Sequence, residues 1–206
     1  MNKLRYVSLS LTLLLTLAAG FAGAEEKEEG WISLFDGKSL DGWKINENPE
    51  SWKVEDGAIV AQGERSHLFY TGRDFKNFEF TCDVQTTPGS NGGIFFHTRF
   101  QEEGWPAHGY ESQVNNTHRD PVKTGSIYNT VKLFQSAAQD DKWWTQKITV
   151  QGKRVTVEID GKKVIDYVEP DDKEGTVKLS EGAFALQAHD PKSVIRYKNI
   201  AVRPLP

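Results

Sequence analysis

A chain of 206 residues, 37% apolar and with a formal charge of −4, is long enough to bury a sizeable core. It carries no basic stripe and no block of like charge, which argues against nucleic acid as a partner. Its single cysteine, Cys82, has no partner for a disulfide within the chain.

Lys3 and Arg5 precede an apolar stretch from Tyr6 to Phe21, and Ala22-Gly23-Ala24 follows with the small-x-small pattern that signal peptidase cuts. This predicts a signal peptide over residues 1–24, its removal, and a periplasmic or secreted destination. The apolar run is too short and wrongly flanked to span a bilayer, and no later segment reaches the roughly 20 apolar residues that a membrane span needs. Residues 25–30 are rich in Glu and are expected to form a solvated acidic spacer, leaving 31–206 as a single folded domain.

The run from Gly30 to Lys44 sets Trp31 and Trp43 among the turn signals Asp36-Gly37 and Asp41-Gly42, a density suited to the lip of an antiparallel β domain. Beyond it the chain alternates in short β-rich runs with no long helical periodicity. Asp56-Gly57 divides the runs 51–55 and 58–62 as a hairpin turn would, and Gly152-Lys153 does the same for 147–151 and 154–160. A third hairpin turns at Asp160-Gly161. Further strands are expected at about 66–70, 75–84, 92–99, 109–115, 124–128, 183–189 and 194–203, with longer loops at 100–108 and 130–141. So many short strands predict an all-β fold, a sandwich or a barrel. Cys82 shares a strand face with Phe78, Phe80 and Val84 and is expected to be a buried small apolar residue. Asn91-Gly92-Gly93 is expected to be a tight turn.

Residues two apart on a strand project from one face. By that rule Glu111, Gln113 and Asn115 share a face, as do His97 and Arg99, and as do Gln187 and His189. The opposite faces carry Tyr110 and Val114, Ile94 and Phe96, and Phe184 and Leu186, which suit a sandwich core. Any one of the polar residues alone would suit an ordinary solvated face. Together they provide what a concave sugar-binding sheet requires, amide donors and acceptors for vicinal hydroxyls and a titratable pair. Trp105, Trp143 and Trp144 fall in or beside the longer loops, where an indole either stacks on a pyranose ring or caps the sandwich edge. His67, His108 and His118 lack a metal-ligand spacing. His97, Glu111 and His189 could converge on a divalent cation, but the spacing alone calls for no metal and no other cofactor.

The run Trp31 to Trp43 resembles the signature W-x-x-L-F-D-G-K-x-L-x-G-W of the 3-keto-disaccharide hydrolase family. The likeness continues through Asp74-Phe75, Asn91 to Phe95, Gly109 to Val114, Thr124 to Tyr128, Leu186 to His189 and Arg196 to Ile200, in the family's order. Departures fall at Gly92, His97, Ala188 and Asp190. The resemblance implies a concanavalin A-like jelly-roll sandwich of two antiparallel sheets that acts on sugars oxidised at carbon 3. An ordinary glycosidase needs two carboxylates about 5–5.5 Å or about 6.5–9.5 Å apart, and the polar face supplies one clear candidate, Glu111. A ketone at carbon 3 changes the requirement, because the proton on carbon 2 becomes acidic and one base can start an elimination that expels the group on carbon 1. On this reading Glu111 and His189 are the catalytic pair, with the identity of the base open. His97, Arg99, Gln113, Gln187, Trp105 and Trp144 are candidates for binding a small sugar or glycoside. The rivals are a non-catalytic lectin-like domain and a glycosidase acting on unoxidised glycans.

Overall fold

The computed structural model of the protein describes residues 30–206; the predicted signal peptide and all but the last residue of the acidic spacer lie outside the described residues. The described chain forms strands β1 (Ile32–Ser33), β2 (Trp43–Ile45), β3 (Trp52–Glu55), β4 (Ala58–Ala61), β5 (Ser66–Tyr70), β6 (Phe78–Thr86) and β7 (Gly92–Thr98). There follow β8 (Tyr110–Val114), β9 (Trp144–Gln151), β10 (Arg154–Ile159), β11 (Lys162–Val168), β12 (Ala183–Ala188) and β13 (Ile195–Pro204). A larger sheet runs β11-β10-β9-β6-β13-β4-β3, with β1 also paired to β13, and a smaller one runs β2-β5-β12-β7-β8. Every pairing is antiparallel.

The three expected hairpins form where the turn chemistry places them. Asp56 and Gly57, and again Asp160 and Gly161, take positive φ at consecutive positions, as a two-residue turn between twisted strands demands. The alternation that predicts strands also decides what is buried: along β6 every second residue from Phe78 to Thr86 faces inward, Cys82 among them. Phe78 and Phe80 of the larger sheet meet Phe184 of the smaller at ring-centroid distances of 4.9 and 4.6 Å. Ile94, Phe96, Tyr110, Val114 and Leu186 join the same core, as their strand faces predicted. The run 30–44 forms no lip. It is a seam: β1 adds to the larger sheet and β2 to the smaller, and Trp43 donates its indole N–H to the Leu34 carbonyl at 2.7 Å within the core.

Four expectations need correction. Trp144 is not on a loop but opens β9, where the side chain alternation turns it inward, 3% exposed, against the core. His97 leaves the polar face because β7 carries one residue more than β12 at this point: Ala183 pairs with Thr98 and Phe184 with Phe96. The extra residue, His97, takes φ 57°, and its ring turns to lie 5.5 Å from Phe78, edge to face. There Nε2–H donates to the Lys76 carbonyl at 2.9 Å and Nδ1 accepts from Ser180 N–H at 3.1 Å. Burial holds this imidazole down at about 4, so it stays neutral as a structural brace. The segment 124–128 bonds to the edge of β8 through Ser126 and Tyr128 but forms no strand, since Gly125 and Asn129 at positive φ break its extension. Finally, Asn91-Gly92-Gly93 is not a tight turn, as Gly92 and Gly93 belong to β7.

Candidate active site

The outer face of the smaller sheet carries two rows of side chains fixed by register. Phe69, Ala185, Phe95 and Glu111 stand side by side across β5, β12, β7 and β8. In the next row Gln187 faces His67, and Gly93 faces Gln113. Phe69, Ala185 and Phe95 form an apolar floor apart from the main core. Above this face lies a cavity of about 400 Å³, whose walls include Glu111, Gln113, Gln187, His189, Trp105 and Asn91, within the roughly 300–1,000 Å³ usual for small-molecule sites.

Glu111 rises from β8 over Gly93, which has no side chain to obstruct it. A Cβ at position 93 would lie 2.2 Å from Glu111 Oε1, so the carboxyl occupies the room that this glycine leaves. Burial, reinforced by the charge of Asp120, pushes its pKa up to about 8. At neutral pH this favours the carboxylic acid form, able to donate a proton. Asp120 and Tyr128 enter the same cavity from the loop that covers the β8 edge, 3.4 Å from each other through the tyrosine hydroxyl. A second carboxylate thus stands in the cavity with Glu111, and no strand periodicity could have placed it there.

His189, half-buried just past the end of β12, donates from Nδ1 to Asp190 Oδ2 at 2.9 Å. Asp190 also accepts from Ser193 Oγ at 2.8 Å and from Lys192 N–H at 2.9 Å. Burial alone would raise Asp190, but these hydrogen bonds outweigh it and hold the carboxyl below its ordinary value. A carboxylate that fixes Nδ1–H leaves Nε2 as the basic nitrogen, the second member of a serine hydrolase triad being held in the same way. Asp190 is a partner of His189 that the motif reading did not include, and the signal was its place next to His189.

The amides complete the cavity. Gln113 donates to Asn91 Oδ1 at 2.6 Å, while its own Oε1 is buried and accepts no hydrogen bond among the described residues. An unfilled buried acceptor costs about 1–3 kcal/mol, which a ligand hydroxyl would recover. Gln187 reaches His67 Nε2 at a long 3.5 Å. His67 is buried, held down at about 3 by desolvation, and stays neutral. Its ring meets Phe95 at 5.4 Å and Trp105 at 5.5 Å, both edge to face. Trp105, 48% exposed, also lies 5.5 Å from the His189 ring and forms the apolar wall at the mouth. Its loop is tied down where Glu47, paired with Arg65, accepts from Gly104 N–H at 2.9 Å.

The fold thus brings together Glu111, Gln113, Gln187, Trp105 and His189 of the sequence candidates. It does not bring in His97 or Trp144, which serve the core, nor Arg99, exposed beyond the end of β7 and outside the cavity wall. Asn115, predicted on the Glu111 face, instead bonds the Asp120 and Val122 carbonyls and shapes the loop that carries Asp120. No group of three or more His, Cys, Asp or Glu among the described residues is arranged to hold a metal.

Comparison with known proteins agrees with this architecture. A Parabacteroides distasonis protein provisionally named a glycosyl hydrolase superposes with a TM-score of 0.76 at 24% identity, over 89% of this chain and 98% of its own. The carbohydrate-binding module CBM66 from Bacillus subtilis superposes with a TM-score of 0.60 at 15% identity, over 79% of this chain and 95% of its own. Both likenesses establish the concanavalin A-like jelly-roll fold. A curated 3-keto-disaccharide hydrolase of Bacteroides thetaiotaomicron is 32% identical over 171 residues, 68% of this chain and 59% of the relative, so the chain spans under two thirds of that protein's length. Residues 30–203 match the 3-keto-alpha-glucoside-1,2-lyase-like domain, and the chain belongs to that family.

Proposed function

We propose that this is an exported enzyme that cleaves the glycosidic bond of 3-keto-glycosides by elimination and hydration, with net hydrolysis as the outcome. The observation that carries the reading is the pairing, in one cavity, of an uncharged Glu111 with an imidazole oriented by Asp190. The raised pKa of Glu111 supports the acid role for that residue, and the Asp190 contact at Nδ1 supports Nε2 of His189 as the base. His189 Nε2 removes the proton on carbon 2, made acidic by the adjacent ketone, and the electron pair is delocalised onto the ketone oxygen as an enolate. The enolate collapses to restore the ketone and form the C1–C2 double bond, and the bond from carbon 1 to the leaving oxygen breaks. Glu111 gives its proton to that oxygen. Water then adds in the reverse sense: the Glu111 carboxylate takes a proton from water as its oxygen bonds to carbon 1, and the His189 imidazolium returns a proton to carbon 2. Both groups end as they began, and the sum is the addition of one water to the glycosidic bond. Amides of Gln113, Gln187 and Asn91 hold sugar oxygens, and Trp105 covers a ring face.

Asp120 favours one alternative, direct hydrolysis of unoxidised glycosides by a carboxylate pair. Turnover of a 3-keto-disaccharide and its unoxidised parent in D₂O, with immediate borohydride reduction and mass spectrometry, separates the two. Elimination and hydration leaves one deuterium on carbon 2 of the product and spares the parent disaccharide. Cleavage of both without deuterium on carbon 2 supports the carboxylate pair, and binding without cleavage supports a lectin-like domain.

A further inference from the structure

His189 borders a second hollow as well as the first. On its far side lies a space of about 490 Å³ walled by His118, Arg119, Asp190, Lys192 and the turn residues Gly89 and Pro191. The His118 and His189 rings are 5.7 Å apart, so the two spaces meet at the imidazole that the proposed reaction uses as its base. Their chemistry differs. The first combines an apolar floor, an indole and neutral amides, the chemistry that receives a sugar ring. The second is cationic.

Arg119 and Lys192 are exposed, and among the described residues neither side chain has an ion pair. The one carboxylate in the wall, Asp190, is occupied on both oxygens by His189, Ser193 and the Lys192 backbone N–H. Nor is His118 free to accept: its Nδ1 takes the Asp120 backbone N–H at 3.1 Å, which leaves Nε2–H as its remaining donor. Two unpaired cations and a fixed imidazole donor, gathered in one hollow beside the reacting bond and facing no free carboxylate, form a receptor for negative charge.

We infer that the leaving half of the substrate occupies this second hollow and carries an anionic group, a carboxylate or a phosphate ester, which Arg119, Lys192 and His118 receive. The inference rests on the proposed 3-keto-glycoside cleavage. It specifies the aglycone, about which the first cavity says nothing.

The test uses three 3-keto-glucosides that share one aryl scaffold, 4-carboxyphenyl, 4-phosphonooxyphenyl and the neutral 4-carbamoylphenyl, with kcat/KM measured for the parent protein and for R119Q, K192Q and the double variant. The parent is expected to favour a charged aglycone over the neutral one by about tenfold at low salt, the scale of two exposed charge contacts, and the preference should shrink as ionic strength rises. Whether carboxylate or phosphate leads distinguishes the two anion sources. Each single variant should reduce the preference and the double variant should bring all three substrates level. Because the readout is a ratio within one protein sample, partial misfolding of a variant does not disturb it. Equal turnover of charged and neutral substrates by the parent overturns the inference and leaves the hydrolase reading standing, as does a preference that survives the double variant. Turnover of none of the three overturns both.

Discussion

The two sheets present opposite solutions on their outer faces. On the larger sheet, charges are paired: Glu79 of β6 holds Lys147 of β9 at 2.6 Å and also Arg203 of β13, while Asp166 of β11 takes both Arg154 at 2.6 Å and Lys163 at 2.7 Å. The smaller sheet buries its polar groups under loops and leaves several without partners, with Gln113 Oε1 and His67 Nδ1 unbonded among the described residues and Glu111 held uncharged. The charges on one face are satisfied within the protein. The other leaves unmade bonds, and a fold retains that cost where a ligand completes them.

The contrast is broken most severely at Glu111. Glu111→Gln keeps the shape and much of the hydrogen bonding but loses the proton, so kcat should fall by about 10²–10⁴, the usual contribution of general acid–base catalysis. The same variant has an expected stability signature. Because folding raises the carboxyl from 4.5 to about 8, the parent loses stability as pH rises from 4.5 through 8. Melting temperatures at pH 5 and pH 8.5 should therefore show that fall in the parent and not in Glu111→Gln. Parallel curves for the two proteins would mean that Glu111 is already ionised at neutral pH.

A sharper version moves Glu111 without altering it. Gly93→Ala places a methyl in the carboxyl's position on a strand whose backbone accepts alanine, and a displacement on the order of 1 Å costs catalysis about 10²-fold. Gly57→Ala is its control on the other sheet. Nothing obstructs a Cβ there, but φ of 73° strains it, so stability should fall by about 1 kcal/mol with kcat unchanged. Urea denaturation beside a progress curve checks both, and a Gly93→Ala protein with full activity would dissociate this glycine from the site.

The smallest effect is expected on the paired face. Glu79→Gln frees both Lys147 and Arg203 and should cost about 1 kcal/mol of stability, as expected for partly screened ion pairs, while kcat and KM stay at parental values. A loss of activity there would show that the larger sheet positions the site, against the division drawn between the two faces.

What could be known from the sequence was what local physics controls. Turn residues such as Asp56-Gly57 and Asp160-Gly161 prefer positive φ whatever surrounds them, and side chains alternate along any extended strand, so the hairpins, the apolar core face and the grouping of Glu111 with Gln113 were legible in advance. Three features were not, each because a distant neighbour sets it. The extra residue that turns His97 from the outer face of the smaller sheet into the core exists only in register against β12. Trp144 is buried because β9 begins three residues before the run 147–151 expected from sequence, under cover of the opposite sheet. Asp120 reaches Glu111 because a loop folds back across the β8 edge, held by Asn115 and Lys123. The protonation of Glu111 follows from that closure, since a carboxyl's charge is disfavoured by the water it loses and by the charge it meets, and only the assembled fold decides either.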